Sequence, residues 1–292
     1  MKQMNIREFF KRFPDDETCL NHIFECRFGQ GYECPKCERA TNWYRIKAER
    51  AYSCQHCGHH LHPTVGTPFE ASRTPLQLWF YAIYLFTTTR HGVSAKELQR
   101  QLGVTYKCAW RMGHQIREHM ADVDNVDFDK LSGHVEVDET YVGGVDNKMG
   151  RPGKDSKKTA VMGMVERGGE VHTEVIPDQK SVSLLPVIQE NVEKGARISS
   201  DELHSYKRLP EMGYKHGYVK HSLRQWSKGN IHTNTIEGYW SHLKKSINST
   251  HIHVSRKHMH NYLDEFEYRF NARKNPAQMF PELISSYPKD DE

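Results

Sequence analysis

Residues 134–144 read HVEVDETYVGG, and this stretch decides the fold of the second half of the chain. Val135 and Val137 alternate with polar neighbours, which is the period of a half-buried β-strand. Before this point, from about residue 74 to residue 120, the apolar residues follow a helical spacing. The period therefore changes at His134, and a layered α/β domain is predicted to begin there.

Further strands and helices alternate along the rest of this domain. The stretches TAVMGMVERGG and EVHTEVIPD predict a hairpin that turns at Gly168 and Gly169. A helix (SVSLLPVIQENVEKG), two short strands (ARISSD and YKHGYVKH) and two closing helices, from about Thr235 and over about 255–273, complete the pattern. The basic, glycine-rich stretch 143–158 predicts a mobile loop between the first two strands.

Three acidic residues far apart in the chain are expected to meet at one edge of this sheet. Asp138 and Asp201 end strand-like alternations, and Glu237 lies in the first turn of an amphipathic helix. Three convergent carboxylates repel one another unless positive charge lies between them. A pair of divalent metal ions supplies that charge most simply, and such a pair supports phosphoryl transfer.

Two neighbours of Asp138 could take its place. Strand alternation puts Glu136 on the same face as Asp138 and Glu139 on the opposite face.

The other two acids have structural alternatives. Asp201 could cap the short helix ELHSYK, and Glu237 could be the third-position partner of a capping box led by Asn234. Glu237, Trp240 and Lys244 share one helix face, as a metal site beside a DNA phosphate would require.

Four cysteines have the spacing of a structural zinc site. Cys34 and Cys37 form one C-x-x-C pair, and Cys54 and Cys57 form a second after sixteen residues. Two such knuckles bind one tetrahedral ion, which would supply much of the stability of so small a segment. Three cysteines are expected to be buried rather than ligands: Cys19, Cys26 and Cys108. Four histidines near the second knuckle are expected to be solvated or to contact phosphate: His56, His59, His60 and His62.

Residues 92–120 contain a helix-turn-helix pattern around Leu102-Gly103-Val104. Ser94 and Glu97 predict a capping box for the first helix. The outward face of the second helix is predicted to offer four side chains to DNA: Tyr106, Lys107, Arg111 and His114. An ordinary helical hairpin is the alternative.

The charge of the chain is unevenly distributed. The 292 residues carry a formal net charge of only +4, but residues 204–274 hold thirteen Lys or Arg against five Asp or Glu. Such a block favours a polyanionic partner, although a solvated basic face is the alternative. The longest apolar run, Leu76–Phe86, is too short to span a bilayer, and the N-terminus has no signal-peptide pattern. A cytoplasmic, nucleoid-associated protein is expected.

Six strings occur in a distinctive order: CPKC, CQHC, VGTPFEASRTPLQLWFYAIYLF, VEVDETYVGG, SSDELHSY and HTNTIEGYWSHLKK. From about Cys34 to Pro276 the chain resembles the DDE transposases of bacterial insertion sequences. Within them it is similar to the group that has an N-terminal zinc ribbon and an ISXO-type transposase domain.

The resemblance implies a ribonuclease H-like catalytic fold, two Mg²⁺ or Mn²⁺ ions, and cutting and joining of terminal inverted repeats. By matching motifs, Asp138, Asp201 and Glu237 take the acidic roles. Lys244 takes the role of the basic residue seven positions after the glutamate. Asn234 is a rival third residue, because some relatives have asparagine there. We favour Glu237, since a carboxylate binds a hard cation better than an amide does.

The mechanism expected from this pattern needs no covalent protein–DNA intermediate. Asp138 would bridge two ions roughly 3.5–4 Å apart, while Asp201 and Glu237 would each hold one. Water would cut a strand, and the exposed 3′-OH would attack target DNA. The expected partners are double-stranded DNA and further copies of the chain, in a homodimer or larger synaptic assembly. Lys244 and Lys245, with the recognition helix, would contact the DNA.

The predicted organisation is an α/β ribonuclease H-like domain, a mixed sheet flanked by helices, preceded by a zinc ribbon and a helix-turn-helix region. The expected segments are 1–30 (helical), 31–66 (zinc ribbon), 67–120 (helix-turn-helix), 121–133 (linker), 134–275 (catalytic) and 276–292 (tail). Two other functions stay open: a catalytically silent DNA-binding regulator, and an RNA/DNA nuclease of the same fold. Intact acidic residues at all three positions argue against the regulator.

Overall fold

The computed structural model describes residues 3–126, 128–143 and 158–287, so nearly all of the predicted loop at 143–158 lies outside the described residues. The chain divides into two compact units. Unit 1 comprises residues 1–89, 93–119 and 275–292, and unit 2 comprises residues 90–92 and 120–274. None of the helices within the described ranges combines the length and apolar character needed to cross a membrane.

Unit 1 contains a small antiparallel sheet and a set of helices. Its strands are β1 (Trp43–Ile46), β2 (Ala51–Cys54) and β3 (His60–Leu61), in the order β1-β2-β3. Its helices are α1 (Ile6–Arg12), α2 (Asp16–Arg27), α3 (Leu76–Thr88), α4 (Ala95–Leu102), the first part of α5 (Tyr106–Val126) and the last helix of the chain, Met279–Leu283. Helix α5 extends beyond the predicted boundary at residue 120, because residues 114–126 contain neither glycine nor proline to end it.

The segment predicted as a C-terminal tail is packed as far as the structure describes it. Phe280 is 4% exposed, and its ring contacts those of Phe9 and Phe13 at centroid distances of 5.8 and 6.0 Å. Tyr287 stacks on His119 at 5.2 Å. The two ends of the chain therefore share one aromatic core in unit 1.

Unit 2 is built on a mixed five-stranded sheet. Its strands are β4 (His134–Val142), β5 (Thr159–Glu166), β6 (Val171–Val175), β7 (Arg197–Ser200) and β8 (Lys215–Tyr218). The order across the sheet is β6-β5-β4-β7-β8, with β4, β5 and β6 antiparallel and β7 and β8 parallel to β4. The hairpin predicted at Gly168 and Gly169 is confirmed by the β5–β6 pairing.

Helices cover both faces of this sheet. They are α6 (Ser181–Asn191), α7 (Asn234–Ser246) and α8 (Met259–Asn271). Val135 and Val137 pack in one apolar cluster with Leu184 and Ile188 of α6, and the opposite face packs against α7 and α8. A mixed sheet with this strand order and helices on both faces is the predicted ribonuclease H-like α/β fold, which is therefore confirmed.

A glycine sets how closely α7 approaches the sheet. Gly163 of β5 lies opposite Asp138 in the β4–β5 ladder. A Cβ atom built at Gly163 would lie 2.4 Å from Cζ2 of Trp240 and 2.9 Å from Cδ1 of Ile236. Only glycine lets α7 pack at this distance, directly over the strand that carries Asp138.

Candidate active site and metal centre

Asp138 lies in the middle of β4, not at its end as the sequence indicated. The alternation continues through Tyr141 to Val142, because β4 stays paired with β5 as far as Val142 and Thr159. The Trp240 indole Nε1 of α7 donates a hydrogen bond of 3.1 Å to Asp138 Oδ2. The carboxyl group is therefore held between the centre of the sheet and the helix that carries Glu237.

The electrostatics of Asp138 link it to the other two acids. Burial, followed by the negative charges of Asp201 and Glu237, raises the pKa of Asp138 to about 7. The hydrogen bond from Trp240 acts in the opposite direction. The charges of Asp201 and Glu237 thus reach the buried Asp138 carboxyl. The three carboxyl groups are not among the described sets of ligand atoms that all lie within 4.8 Å of one another, so the expected meeting of the three acids is looser than a closed metal site.

Asp201 directly follows the last residue of β7. Its Oδ1 accepts a hydrogen bond of 2.9 Å from the backbone N–H of Leu203. The helix that follows is a short 3₁₀ turn, His204–Arg208, whose cap is Leu203. The proposed capping role of Asp201 is therefore wrong in that form, because the turn begins two residues later.

Glu237 lies in the first turn of α7, with its side chain 45% exposed. The helix begins at Asn234, so Asn234 is its first residue and not its cap, and the proposed Asn234–Glu237 capping box is wrong. Glu237 Oε1 instead accepts a hydrogen bond of 2.7 Å from the Thr233 hydroxyl. His221 Nε2 lies 3.6 Å from the same oxygen.

Glu136 supplies the cap that α7 lacks. Its fully buried carboxylate accepts from the backbone N–H groups of Thr235 (2.7 Å) and Ile236 (3.1 Å). Arg167 Nε donates to the other oxygen at 2.7 Å. A carboxylate at a helix N-terminus is favoured by the unpaired N–H groups and the helix dipole. Because its oxygens have these partners, Glu136 positions α7 rather than competing with Asp138.

Glu139 lies on the opposite face of β4, as strand alternation predicted. Its carboxyl accepts a hydrogen bond from the Tyr206 hydroxyl. Burial, with the charges of Asp201 and Asp138, raises the pKa of Glu139 to about 8, and the hydrogen bond from Tyr206 acts against this shift. Burial therefore favours the protonated form of this carboxyl.

The lysines of α7 differ in their surroundings. Lys244 is half-buried; burial lowers its pKa, and the negative charge of Asp138 acts against that shift. Lys245 is exposed. Lys244 therefore lies within electrostatic reach of the acidic site, and Lys245 faces solvent.

The four cysteines of the zinc-ribbon motif meet in unit 1. Their Sγ atoms all lie within 4.8 Å of one another, with Cys34 and Cys57 at 3.6 Å and Cys37 and Cys54 at 3.8 Å. Cys19 is buried, as predicted, while Cys26 and Cys108 are half-buried. Glu49, His60 and His62 form a second, exposed group of side chains within 4.8 Å of one another.

Two helices joined at Gly103, whose φ of 66° is left-handed, lie at the predicted helix-turn-helix pattern, and an ordinary helical hairpin has the same two elements. The Ser94 hydroxyl accepts from the Glu97 backbone N–H at 3.1 Å, so the predicted cap forms on that side. The predicted contact residues Tyr106, Lys107 and Arg111 are exposed.

The prediction for His114 is wrong. Its side chain is buried, and its ring lies 3.9 Å from that of Trp110. One helical turn separates the two residues, so the Trp110 ring covers the imidazole.

The fold and the acidic site together define a ribonuclease H-like protein with a zinc ribbon. Residues 130–271 match the family model of the ISXO2-like transposase domain, and residues 14–60 match that of the transposase zinc-ribbon domain. The two matches together cover well over half of the chain. The chain therefore belongs to the DDE transposases of insertion sequences, in the group that combines these two domains.

Two relatives agree with this assignment. The chain is 26% identical over 293 residues to the "Uncharacterized protein in transposable element ISH50" of Halobacterium salinarum. This match covers 92% of this chain and 95% of that protein. It is 29% identical over 110 residues to an "Uncharacterized transposase-like protein" of Haemophilus influenzae, which covers 38% of this chain and 88% of that protein.

Solved structures of the Mos1 transposase show a weaker likeness. The Mos1 Strand Transfer Complex matches with a TM-score of 0.31 and 14% identity, over 72% of this chain and 79% of that one. The mariner Mos1 paired end complex with Mg matches with a TM-score of 0.32 and 12% identity, over 67% and 75%. The family assignment does not depend on this likeness.

Proposed function

We propose that the chain is an insertion-sequence transposase that binds terminal inverted repeats, cleaves DNA strands there and joins the 3′-OH ends to target DNA. The observation that supports this most is the placement of the Asp138 carboxyl, which β4 and Trp240 of α7 hold where the charges of Asp201 and Glu237 reach it. A site that gathers negative charge in a partly dry place is suited to cations.

The donor set fits divalent metal ions. Asp138, Asp201 and Glu237 offer only carboxylate oxygens, which are the ligands that Mg²⁺ and Mn²⁺ prefer. Bound ions would activate the attacking hydroxyl and stabilise the charge that develops during in-line displacement at phosphorus.

The surrounding residues of the chain orient these ligands. Trp240 holds the Asp138 carboxyl through its indole N–H, and Thr233 holds that of Glu237. Glu136 joins the start of α7 to β4, so the strand and helix that carry Asp138 and Glu237 keep one spacing. Lys244 lies near enough to Asp138 to feel its charge and would neutralise a phosphate held beside the acids.

DNA binding is assigned to three parts of the chain. The exposed Tyr106, Lys107 and Arg111 of α5 would lie in the major groove, as the second helix of a helix-turn-helix does. The zinc ribbon and the exposed Lys245 would add phosphate contacts. Two element ends must be handled together, so a homodimer or a larger synaptic assembly is proposed.

The test is incubation of the protein with Mg²⁺ and linear DNA bearing candidate terminal repeats, followed by mapping of nicks and strand-transfer products. D138N, D201N and E237Q are expected to lower cleavage at least 10³-fold. The exposed Glu211, which is paired with Arg208 on the surface, provides the matched control E211Q, with unchanged activity. Cleavage that survives in D138N or D201N would overturn the proposed site.

The third acidic role is tested by a second pair of variants. E237A is expected to be inactive and N234A active, because the charge of Glu237 acts on Asp138. An active E237A with an inactive N234A would transfer the role to Asn234.

Zinc is proposed as the ion held by the four cysteines. One zinc ion per chain is expected by elemental analysis, and C37S should lose it, because a structural site needs all four thiolates. C108S is the control and should keep the ion, since Cys108 lies outside the cluster of four. If the C37S protein carried as much zinc as the wild type, the assignment would be wrong.

A further inference from the structure

A basic groove lies along the edge of the unit 2 sheet where β4, β7 and β8 begin. It consists of two adjoining cavities of about 510 and 550 Å³, which share Arg197 and Lys215 as lining residues. Lys194 lines the first cavity and Lys228 the second. We call this feature, with its four cations, the sheet-edge groove.

The sheet-edge groove lies away from the acidic site. Arg197 is the first residue of β7, and Asp201 follows the last. Four residues of extended chain span about 13 Å, so the groove and Asp201 lie at opposite ends of this strand. A ligand in the groove is therefore held outside the place where strands would be cut.

The charges of the sheet-edge groove are largely uncompensated. Glu193 is the one carboxylate among its lining residues. Within the ranges that the structure describes, Lys194, Arg197, Lys215 and Lys228 form no ion pairs. Other exposed cations of unit 2 do, for example Lys180 with Asp178 at 3.0 Å. Unpaired cations gathered in one concave surface create a positive potential that attracts a polyanion.

The geometry favours an extended ligand over a small one. Arg197 and Lys215 are direct partners in the β7–β8 ladder, so their backbones lie roughly 4.8 Å apart. The groove is open and is lined mainly by cations, glycines and backbone. Ile231 is the one large apolar side chain among its lining residues, which is too little apolar surface to enclose a small molecule. Double-stranded DNA carries about one charge per 1.7 Å of its axis and meets such a row of cations with several phosphates.

We infer that the sheet-edge groove binds the phosphate backbone of double-stranded DNA, independently of sequence, at a segment outside the cleavage site. The inference rests on the proposed function, which makes DNA the substrate of this chain. Each lysine or arginine that neutralises one phosphate releases counterions and adds about 0.9 to the slope of log K against log salt.

The experiment measures binding of the full-length, zinc-loaded protein to a fluorescent duplex of random sequence by anisotropy, without added Mg²⁺, over 50–300 mM NaCl. R197A/K215A is expected to lower the salt slope by about 2 and the affinity at least tenfold at 100 mM NaCl. K194A/K228A should act in the same direction and provides an independent variant. The matched control is K180A/R208A, which removes two exposed cations of the same unit that are already ion-paired.

Equal slopes for R197A/K215A and K180A/R208A, in folded proteins, would overturn the inference. Polyglutamate of matched charge serves as the competitor. If the same polyglutamate concentration displaced DNA from the wild type and from R197A/K215A, the groove would not be a site for acidic peptides, and the inference would be supported. If R197A/K215A lost polyglutamate binding but kept DNA binding, the groove would be a protein site and the inference wrong. Cleavage at terminal repeats is scored separately, so a wild type that never cuts DNA fails the proposed function while the salt slope still decides the groove.

Discussion

At the scale of single residues, Asp138 couples the chemistry of the site to its stability. Burial and the charges of Asp201 and Glu237 raise its pKa from 3.8 to about 7. Between these values the folded protein holds the proton more tightly than the unfolded chain does. This group therefore makes the free energy of unfolding fall as pH rises from about 4 to 7, and the full cost is present above pH 7.

The variant D138N removes this cost, so without divalent ions it should be more stable than the wild type at pH 8, by up to about 4 kcal/mol. The difference should shrink as the pH is lowered to 5, where Asp138 is protonated. Urea unfolding of both proteins at several pH values measures it, and Mg²⁺ should stabilise only the wild type. A difference independent of pH would show that Asp138 titrates normally.

A separate prediction concerns Glu136. Its fully buried carboxylate accepts hydrogen bonds from Arg167 and from the backbone at the start of α7. Removing one partner of a buried ion pair costs about 3–5 kcal/mol, and here the Arg167 side chain that remains is only 21% exposed. We expect E136A to lose that much by urea unfolding and to lower cleavage through displacement of Glu237. E211Q removes an exposed carboxylate paired with Arg208 and should leave stability unchanged. Wild-type stability in E136A would mean that α7 is capped by other groups.

The sequence selected Asp138, Asp201 and Glu237 from local patterns and matching motifs, and their roles as metal ligands stay predictions. The contacts that surround these acids were harder to predict. The capping role of Glu136 could not be predicted, since its hydrogen-bond partner Thr235 lies 99 positions away in the chain. The burial of His114 was not predicted either, because helical periodicity alone places this side chain outward and does not show the contact with the tilted Trp110 ring.

At the scale of elements, the spacing of apolar residues predicted which segments are strands and which are helices. The residues at which these elements begin and end depend on tertiary contacts. Strand β4 continues past Asp138 because β5 pairs with it along its whole length. Helix α7 begins at Asn234 because Glu136 receives its first N–H groups. Neighbouring residues determine neither the end of β4 nor the start of α7. Periodicity therefore predicts that an element exists, and tertiary contacts determine where it begins or ends.

Two glycines test the fit between α7 and the sheet. G163A places a methyl group 2.4 Å from Trp240 and should destabilise unit 2 by about 1–3 kcal/mol, as overpacking does, while displacing the partner of Asp138. G238A lies in α7 with no atom within 4 Å of the new Cβ and should stabilise the helix by about 0.5–1 kcal/mol. Thermal unfolding and cleavage assays of both variants measure these effects. Opposite signs are required; a tolerated G163A would refute the close packing.

At the scale of the whole molecule, the ends of the chain belong to the same unit. Residues 275–292 fall in unit 1 with the N-terminal helices, although most of unit 2 separates them in sequence. Phe280 and Tyr287 complete an aromatic core that includes Phe9 and Phe13. Sequence order alone indicated a tail here, because the apolar residues MFPELI are too few to predict a packed element.

Removal of residues 275–292 should therefore damage the far end of the chain. The truncated protein loses the buried Met279, Phe280 and Leu283, and each such loss costs about 2–5 kcal/mol. We expect hydrogen exchange to accelerate in α1 and α3 of unit 1, while β4 and β5 of unit 2, which have their own apolar cores, stay protected. The control is F280L, which keeps an apolar side chain at the centre and should preserve protection in both units. Exchange that accelerates equally in β4 and α1 would mean that the two units unfold as one, and protection kept in α1 would mean that the C-terminal helix contributes nothing to that core.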